Sequence, residues 1–352
     1  MSDPAPKPAP LSVVSDIWPA RLKQLYNVRG KSQMRLKSFF FSKPALVLFS
    51  TLTTLLFVVS AYEIYARYEY RQWRKPFKKM AMMATATIAS PNEKMMWEYR
   101  PYATFKRLQF NRWGFREVDY PTAQKPPNVY RVAFAGDSVT LGMMVDEDKS
   151  FVRRYEIGAN ATNPAKRIQA LNFGVDGYNT PQVEEMIRVK VLPFEPDRIV
   201  YVFCLNDFDF SDSSGNKIRY FNPPKSFLLD KWDLIYQRIT RADFHRYHFE
   251  KNKQIVFDSI KGMKDIAGRK LEIVVLPVFP GYLNNYQGYA YFDIHDEINA
   301  FIESQHIRHI DLLDVFSKRS EPVRHWAFDV WHPNPAGHQL IADTLVQAIS
   351  LD

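Results

Sequence analysis

The chain has 352 residues, 46% hydrophobic and 24% charged, enough apolar material for one large domain or two smaller ones. Its single cysteine, Cys204, excludes an internal disulfide and any multi-cysteine zinc site. The net charge of +9 sits at one end: residues 1–79 hold 14 Lys/Arg against 4 Asp/Glu and the remainder 33 against 34, so the main body lacks the basic face of a nucleic-acid-binding domain and no nucleic-acid partner is expected.

Residues 1–43 open on PAPKPAP and read as a flexible basic segment suited to an anionic lipid surface. Pro44 to Tyr62 is a run of 19 residues without a charge. At ~1.5 Å per residue such a helix just spans a ~30 Å hydrocarbon core, so a transmembrane helix is expected over 44–62. Phe39, Phe40 and Phe41 before it and Tyr62, Tyr65 and Trp73 after it form an aromatic belt. A buried core helix would share the composition. Val59-Ser60-Ala61 offers a cleavage site, but the 43 residues ahead are too long for an ordinary signal-peptide n-region, which favours a retained anchor. Arg29, Lys31, Arg35, Lys37 and Lys43 precede the span and Arg67, Arg71, Arg74, Lys75, Lys78 and Lys79 follow it, so loop charge nearly balances.

Residues 63–127 form a juxtamembrane helix, over 63–80, and an irregular lead-in ending in the turn-rich QKPPN. From 128 to 352 the pattern changes. Apolar runs at 130–136, 167–175, 197–205, 271–279 and 309–316 alternate with helical stretches, the mark of βαβ units around a parallel sheet. Val183, Met186, Ile187 and Val191 share one helical face, as do Leu340, Ile341, Leu345, Val346 and Ile349 in a last helix. Residues 208–256 break the alternation and read as a cap, in which Phe208, Phe210, Tyr220 and Phe221 fit plain packing better than a sugar or lipid site.

In such a sheet ligands bind at the carboxyl ends of the strands. The first run ends in Gly136-Asp137-Ser138, where a strand-to-helix turn would expose the serine oxygen. Alone, the tripeptide fits an ordinary helix-capping turn as well. The second run enters Asn172-Phe173-Gly174-Val175-Asp176-Gly177-Tyr178, whose loop N–H groups can meet an oxyanion, although a simple turn explains it equally. The third ends in Cys204-Leu205-Asn206-Asp207; an asparagine amide there can donate to an oxyanion, a bond typically worth ~3–4 kcal/mol of barrier, and a plain Asn-Asp turn is the alternative. After the fifth comes Asp329-Val330-Trp331-His332, a spacing that lets a carboxylate orient an imidazole. Further His or Cys at metal-ligand spacing is missing, so neither a metal nor a cofactor is expected. His338 reads as structural.

The four fragments in this order resemble the SGNH (GDSL-like) hydrolases. The resemblance covers about residues 128–350 and implies Ser138 as nucleophile, His332 as base, Asp329 as its orienter, and Ser138, Gly177 and Asn206 around the oxyanion. With the alternation, it implies an α/β fold: a flavodoxin-like three-layer α/β/α arrangement with a five-stranded parallel sheet, preceded by a single transmembrane helix. One departure stands out: Cys204 occupies the place of the family's usual glycine in G-x-N-D, where it reads as a buried small hydrophobe. The stretch Asn111-Arg112-Trp113-Gly114-Phe115-Arg116 resembles the N-x-x-GFR segment of membrane-anchored relatives, which implies a lead-in packed beside the core. The resemblance implies a serine esterase acting on an ester or acylated glycan, anchored by one span with its catalytic domain on the extracytoplasmic (periplasmic) side. An O-acyltransferase would use the same residues, and a non-catalytic subunit of a membrane complex is a further reading.

Overall fold

The computed structural model describes residues 42–71, 85–210, 216–221, 224–240 and 243–351. The chain divides into two units, Met1–Arg67 and Tyr68–Asp352. In the first, helix α1 (Lys43–Arg71) is continuous from the predicted span into the juxtamembrane stretch. Its apolar side chains, Phe49, Leu55 and Phe57 among them, are exposed. Thr51 and Thr53 turn their hydroxyls back to the carbonyls of Val47 and Phe49, each at 2.8 Å, which satisfies them without water. Lys43–Tyr68 is long and apolar enough to cross a membrane; a signal sequence would meet the same criteria. The rest of the predicted juxtamembrane helix, 72–80, lies outside the described residues.

The lead-in is less irregular than its sequence. Strand β1 (Thr87–Ala89) pairs antiparallel with β2 (Trp97–Tyr99), and β3 (Thr104–Phe105) with β4 (Leu108–Gln109). Then β5 (Val129–Gly136), α2 (Ser138–Leu141), α3 (Phe151–Thr162), β6 (Arg167–Gly174), α4 (Thr180–Met186) and β7 (Arg198–Cys204) follow. The short helices α5 (Asn216–Phe221) and α6 (Phe227–Ile239) precede the long α7 (Phe244–Ala267). The chain ends through β8 (Leu271–Leu276), α8 (Phe292–Ser304), β9 (Arg308–Asp311), α9 (Leu313–Phe316) and α10 (Pro335–Ala348).

Strands β5 to β9 form one parallel sheet in the order β6-β5-β7-β8-β9. All seven residues of β7 and all six of β8 are buried, because helices cover both faces and a strand with no wet face needs an unbroken apolar run. Chain direction across the sheet reverses at β5. With right-handed crossovers, that reversal puts α3 on one face and α4 and α7 on the other. The contacts agree: α10 packs on α3, and α7 packs on α4 and α8. This is the expected flanked five-stranded parallel sheet, and its switch point lies beside the end of β5.

One boundary differs from the sequence reading. The fifth run, 309–316, is strand only to Asp311; Leu313–Phe316 turns into α9. The stretch 208–256, read as a cap, holds several elements. Phe208 and Phe210 are buried in the core, and α7 starts at Phe244 behind the N-cap Asp243, which accepts from the N–H groups of His245 and Arg246. Among the described residues, α5 and α6 are the helices that interrupt the alternation.

Candidate active site

Strand β5 ends in register with β6 and β7 on either side, Gly136 opposite both Gly174 and Val202. Ser138 is the first residue of α2, and Asp137 caps that helix by accepting from Val139 N at 2.9 Å. The turn is tight against its neighbour: a side chain at Gly174 would begin 2.1 Å from Leu141 N. Asn172 locks the two together, donating from Nδ2 to Thr140 O at 2.9 Å and accepting from Gly174 N at 2.9 Å.

The Ser138 Oγ lies 2.9 Å from His332 Nε2. On the far side of the ring, Nδ1 is 2.9 Å from Asp329 Oδ2 and 3.0 Å from Oδ1. Burial raises the Asp329 carboxyl, but hydrogen bonds from the His332 ring and from the N–H groups of His332 and Trp331 outweigh it and hold it below the usual range. An ionised carboxylate only accepts, so Nδ1 carries the proton and Nε2 is left to accept from the serine. The loop bearing this pair is held by backbone bonds, Phe328 N to His332 O, Phe279 N to Val330 O and Asn334 N to Trp326 O. Asn334 then caps α10 through Ala336 N and Gly337 N.

The predicted oxyanion residues also lie along this rim. Gly177 has φ +71°, a conformation that favours glycine. Among the described residues, neither its N–H nor that of Ser138 has a backbone partner. Asn206 follows β7, and one of its two amide N–H groups donates to Asp137 Oδ2 at 2.7 Å, leaving the other. That pairing was not visible in the sequence. It buries the Asp137 carboxyl, and burial raises it above its ordinary value against the lowering hydrogen bonds from Asn206 and Val139. Cys204 is buried and its thiol is pushed up by that burial, as suits an unreactive packing residue.

Several contributors escaped the sequence reading. Arg116, in the N-x-x-GFR stretch, is buried and donates to Leu141 O at 2.9 Å and Val145 O at 2.8 Å. It thus satisfies carbonyls at and just beyond the end of the serine's own helix. Asn111 shapes that stretch by accepting from Trp113 N and Phe115 N, both at 3.0 Å. The hairpin β1–β2 grips the Gly177 loop: Trp97 Nε1 donates to Asp176 O at 3.3 Å, and Tyr178 OH donates to Trp97 O. Glu117 accepts from Asn172 N at 3.3 Å and pairs with Arg153 at 2.8 Å. From α5 comes Lys217, buried, its Nζ bonded to Gly177 O and lying 5.1 Å from the Trp97 ring centre. His338, read as structural, accepts from Phe151 N at 3.2 Å, and burial first, then nearby cations, lowers it to about 3. Among the described residues no three His, Cys, Asp or Glu side chains form a group that could hold a metal ion.

A parallel sheet with a serine, an imidazole and a carboxylate in line at its switch point is the arrangement of a serine hydrolase. Residues 134–340 match the GDSL-like lipase/acylhydrolase family, more than half of the chain, and the chain belongs to that family. It is therefore a serine hydrolase acting on ester bonds. It is 23% identical over 224 residues to the uncharacterized protein YpmR of Bacillus subtilis (strain 168), covering 62% of this chain and 80% of that one. Among solved structures it is similar to the acetylxylan esterase Axe2 of Geobacillus stearothermophilus at 14% identity and TM-score 0.43, over 63% of this chain and 95% of that one. It is also similar to a two-domain esterase, CEX, active on acetylated mannans, at 16% identity and TM-score 0.42, over 62% of this chain and 48% of that one. Likeness at that level says nothing about substrate.

Proposed function

We propose that this chain is a membrane-anchored esterase that cleaves an acyl ester, on a cell-surface carbohydrate as the family resemblance implies, through an acyl-serine intermediate. The observation that carries the reading is the line from Ser138 Oγ through His332 to Asp329, at 2.9 Å on each side of the ring. His332 Nε2 takes the serine proton as Oγ attacks the ester carbonyl. The negative charge moves to the carbonyl oxygen, where the N–H groups of Ser138 and Gly177 and the free amide N–H of Asn206 receive it. Collapse breaks the ester C–O bond, and His332 returns its proton to the departing alcohol. Water, deprotonated by the same imidazole, then attacks the acyl-serine and releases the acid and the free hydroxyl. Lys43–Tyr68 is taken as the single span, with the catalytic domain on the extracytoplasmic side.

A fluorophosphonate probe tests the site. Ser138 should be labelled and should lose the label with Ser138→Ala, which should also lower ester turnover by ~10⁴-fold or more while leaving the fold intact. Activity retained by that variant ends the assignment. Acetyl transfer to an oligosaccharide in excess over acetate release would replace water by a sugar hydroxyl and make the enzyme a transferase. Protease protection in intact cells reports the side on which the domain lies.

A further inference from the structure

Helix α6 is turned inside out. Leu229, Trp232, Tyr236 and Ile239 are 69%, 62%, 63% and 74% exposed. At 3.6 residues per turn these four positions share an arc of about 80°. The far side of the helix carries Phe227, which is buried, and Asp230, which pairs with Lys251 of α7 at 2.7 Å. Asp233, on the flank, accepts from Tyr247 of α7. A helix on the surface of a soluble domain presents its faces the other way round. A contiguous exposed apolar stripe marks a contact surface.

Two features choose the occupant. The first is charge. Residues 218–241 hold five Lys/Arg against two Asp, while the rest of 80–352 holds 28 against 32 Asp/Glu, and Lys231 of α6 is exposed. Both of those aspartates are engaged by α7. A second copy docking through α6 would set like charge against like charge. An anionic bilayer meets both the basic segment and the apolar stripe, and Trp and Tyr are the side chains that settle at headgroup level. The second is tether length. Residues 72–84 link α1 to the described part of the domain and reach at most ~45 Å when fully extended. Any bilayer that α1 enters is therefore within the domain's reach.

We propose that α6 lies along the membrane surface, with Leu229, Trp232, Tyr236 and Ile239 in the headgroup–acyl boundary of an anionic lipid leaflet. The tether argument, unlike the charge argument, rests on the reading of Lys43–Tyr68 as a span. The next helix back, α5, carries Lys217 to the Gly177 carbonyl, so the proposed membrane contact follows closely in sequence on a side chain that touches the loop proposed to hold the oxyanion.

The test uses the full chain in phosphatidylcholine vesicles with and without phosphatidylglycerol. An environment-sensitive fluorophore is attached at Tyr236→Cys, and a second reporter at Leu55→Cys in α1; Cys204 is buried and stays unlabelled. In the anionic vesicles the Tyr236 reporter should be quenched by lipids carrying a nitroxide near the headgroup and shielded from aqueous iodide. Trp232→Glu with Ile239→Glu, both at exposed positions, should weaken the lipid quenching by about tenfold and leave hydrolysis of a soluble short ester unchanged. Iodide reaching the Tyr236 reporter while Leu55 is quenched by deep nitroxides overturns the proposal and keeps the span. Shielding of Tyr236 from both quenchers means that protein covers α6, and also overturns it. An unquenched Leu55 reporter removes the span; the surface contact then stands if Tyr236 is still quenched by lipid, and falls if it is not.

Discussion

The two sides of the candidate active site are built in different ways. On the serine side, Ser138 is only 6% exposed, and its turn is tied into the core by Arg116, Asn172, Asp137 and the close approach of Gly174. On the histidine side, the His332 side chain is 15% exposed and that of Asp329 45%, and their loop is held by backbone hydrogen bonds. The difference follows from the work proposed for each. Oxyanion donors are partly backbone N–H groups, which act only if the peptide planes do not move, so that side is fixed by buried polar contacts. An imidazole must serve two oxygen atoms in turn, the serine's and the leaving group's, and a loop on the rim permits the small swing.

Substitutions on the two sides should therefore fail differently. After Ser138→Ala, the largest effect is expected from Asp329→Asn, which should lower kcat by ~10³–10⁴-fold by favouring the wrong imidazole tautomer, with an unchanged denaturation midpoint. A large loss of stability would mean that the histidine side is as structural as the serine side. Next, Asn206→Ala should lower kcat by ~100–1,000-fold with little change in KM. A change confined to KM would remove Asn206 from the oxyanion role and leave it as the partner of Asp137.

Arg116→Met should cost about 2–4 kcal/mol in urea unfolding, because buried carbonyls lose charged donors, and should lower kcat as well. Phe328→Ala, beside Asp329 and half exposed, should change stability by under ~0.5 kcal/mol. Equal effects of the two would break the comparison.

A further effect concerns pH. Burial, against the lowering pull of Arg153, raises the Glu117 carboxyl from 4.5 to about 7. The folded chain therefore holds a proton there that the unfolded chain has already released, and stability should fall as pH rises from about 4.5 to 7. The loss is at most ~3 kcal/mol. Thermal unfolding of Glu117→Gln should lack that slope, and a slope equal to that of the wild type would show that Glu117 is ionised throughout.

The residues of the candidate site could be named before the fold was known. Ser138, Gly177, Asn206, Asp329 and His332 stand just after strands or in a short Asp-x-x-His spacing, and strand ends are legible because buried parallel strands are unbroken apolar runs. Arg116 was visible as part of a motif, but its partners, Leu141 and Val145, are distant in sequence and contribute only carbonyl oxygens, which every residue has. The same holds for Trp97 reaching Asp176 and Lys217 reaching Gly177.

Helix α6 marks the division most clearly. Periodicity along a chain reports that a helix has an apolar stripe, and composition reports that a segment can cross lipid or that a sheet is parallel; these are properties of residues in order. Which stripe meets the core depends on what the neighbouring helix offers. Lys251 and Tyr247 of α7 pair with Asp230 and Asp233 on α6, while its apolar stripe faces outward. Periodicity has no information about such long-range pairings, because their energy comes from groups brought together only when the chain has folded.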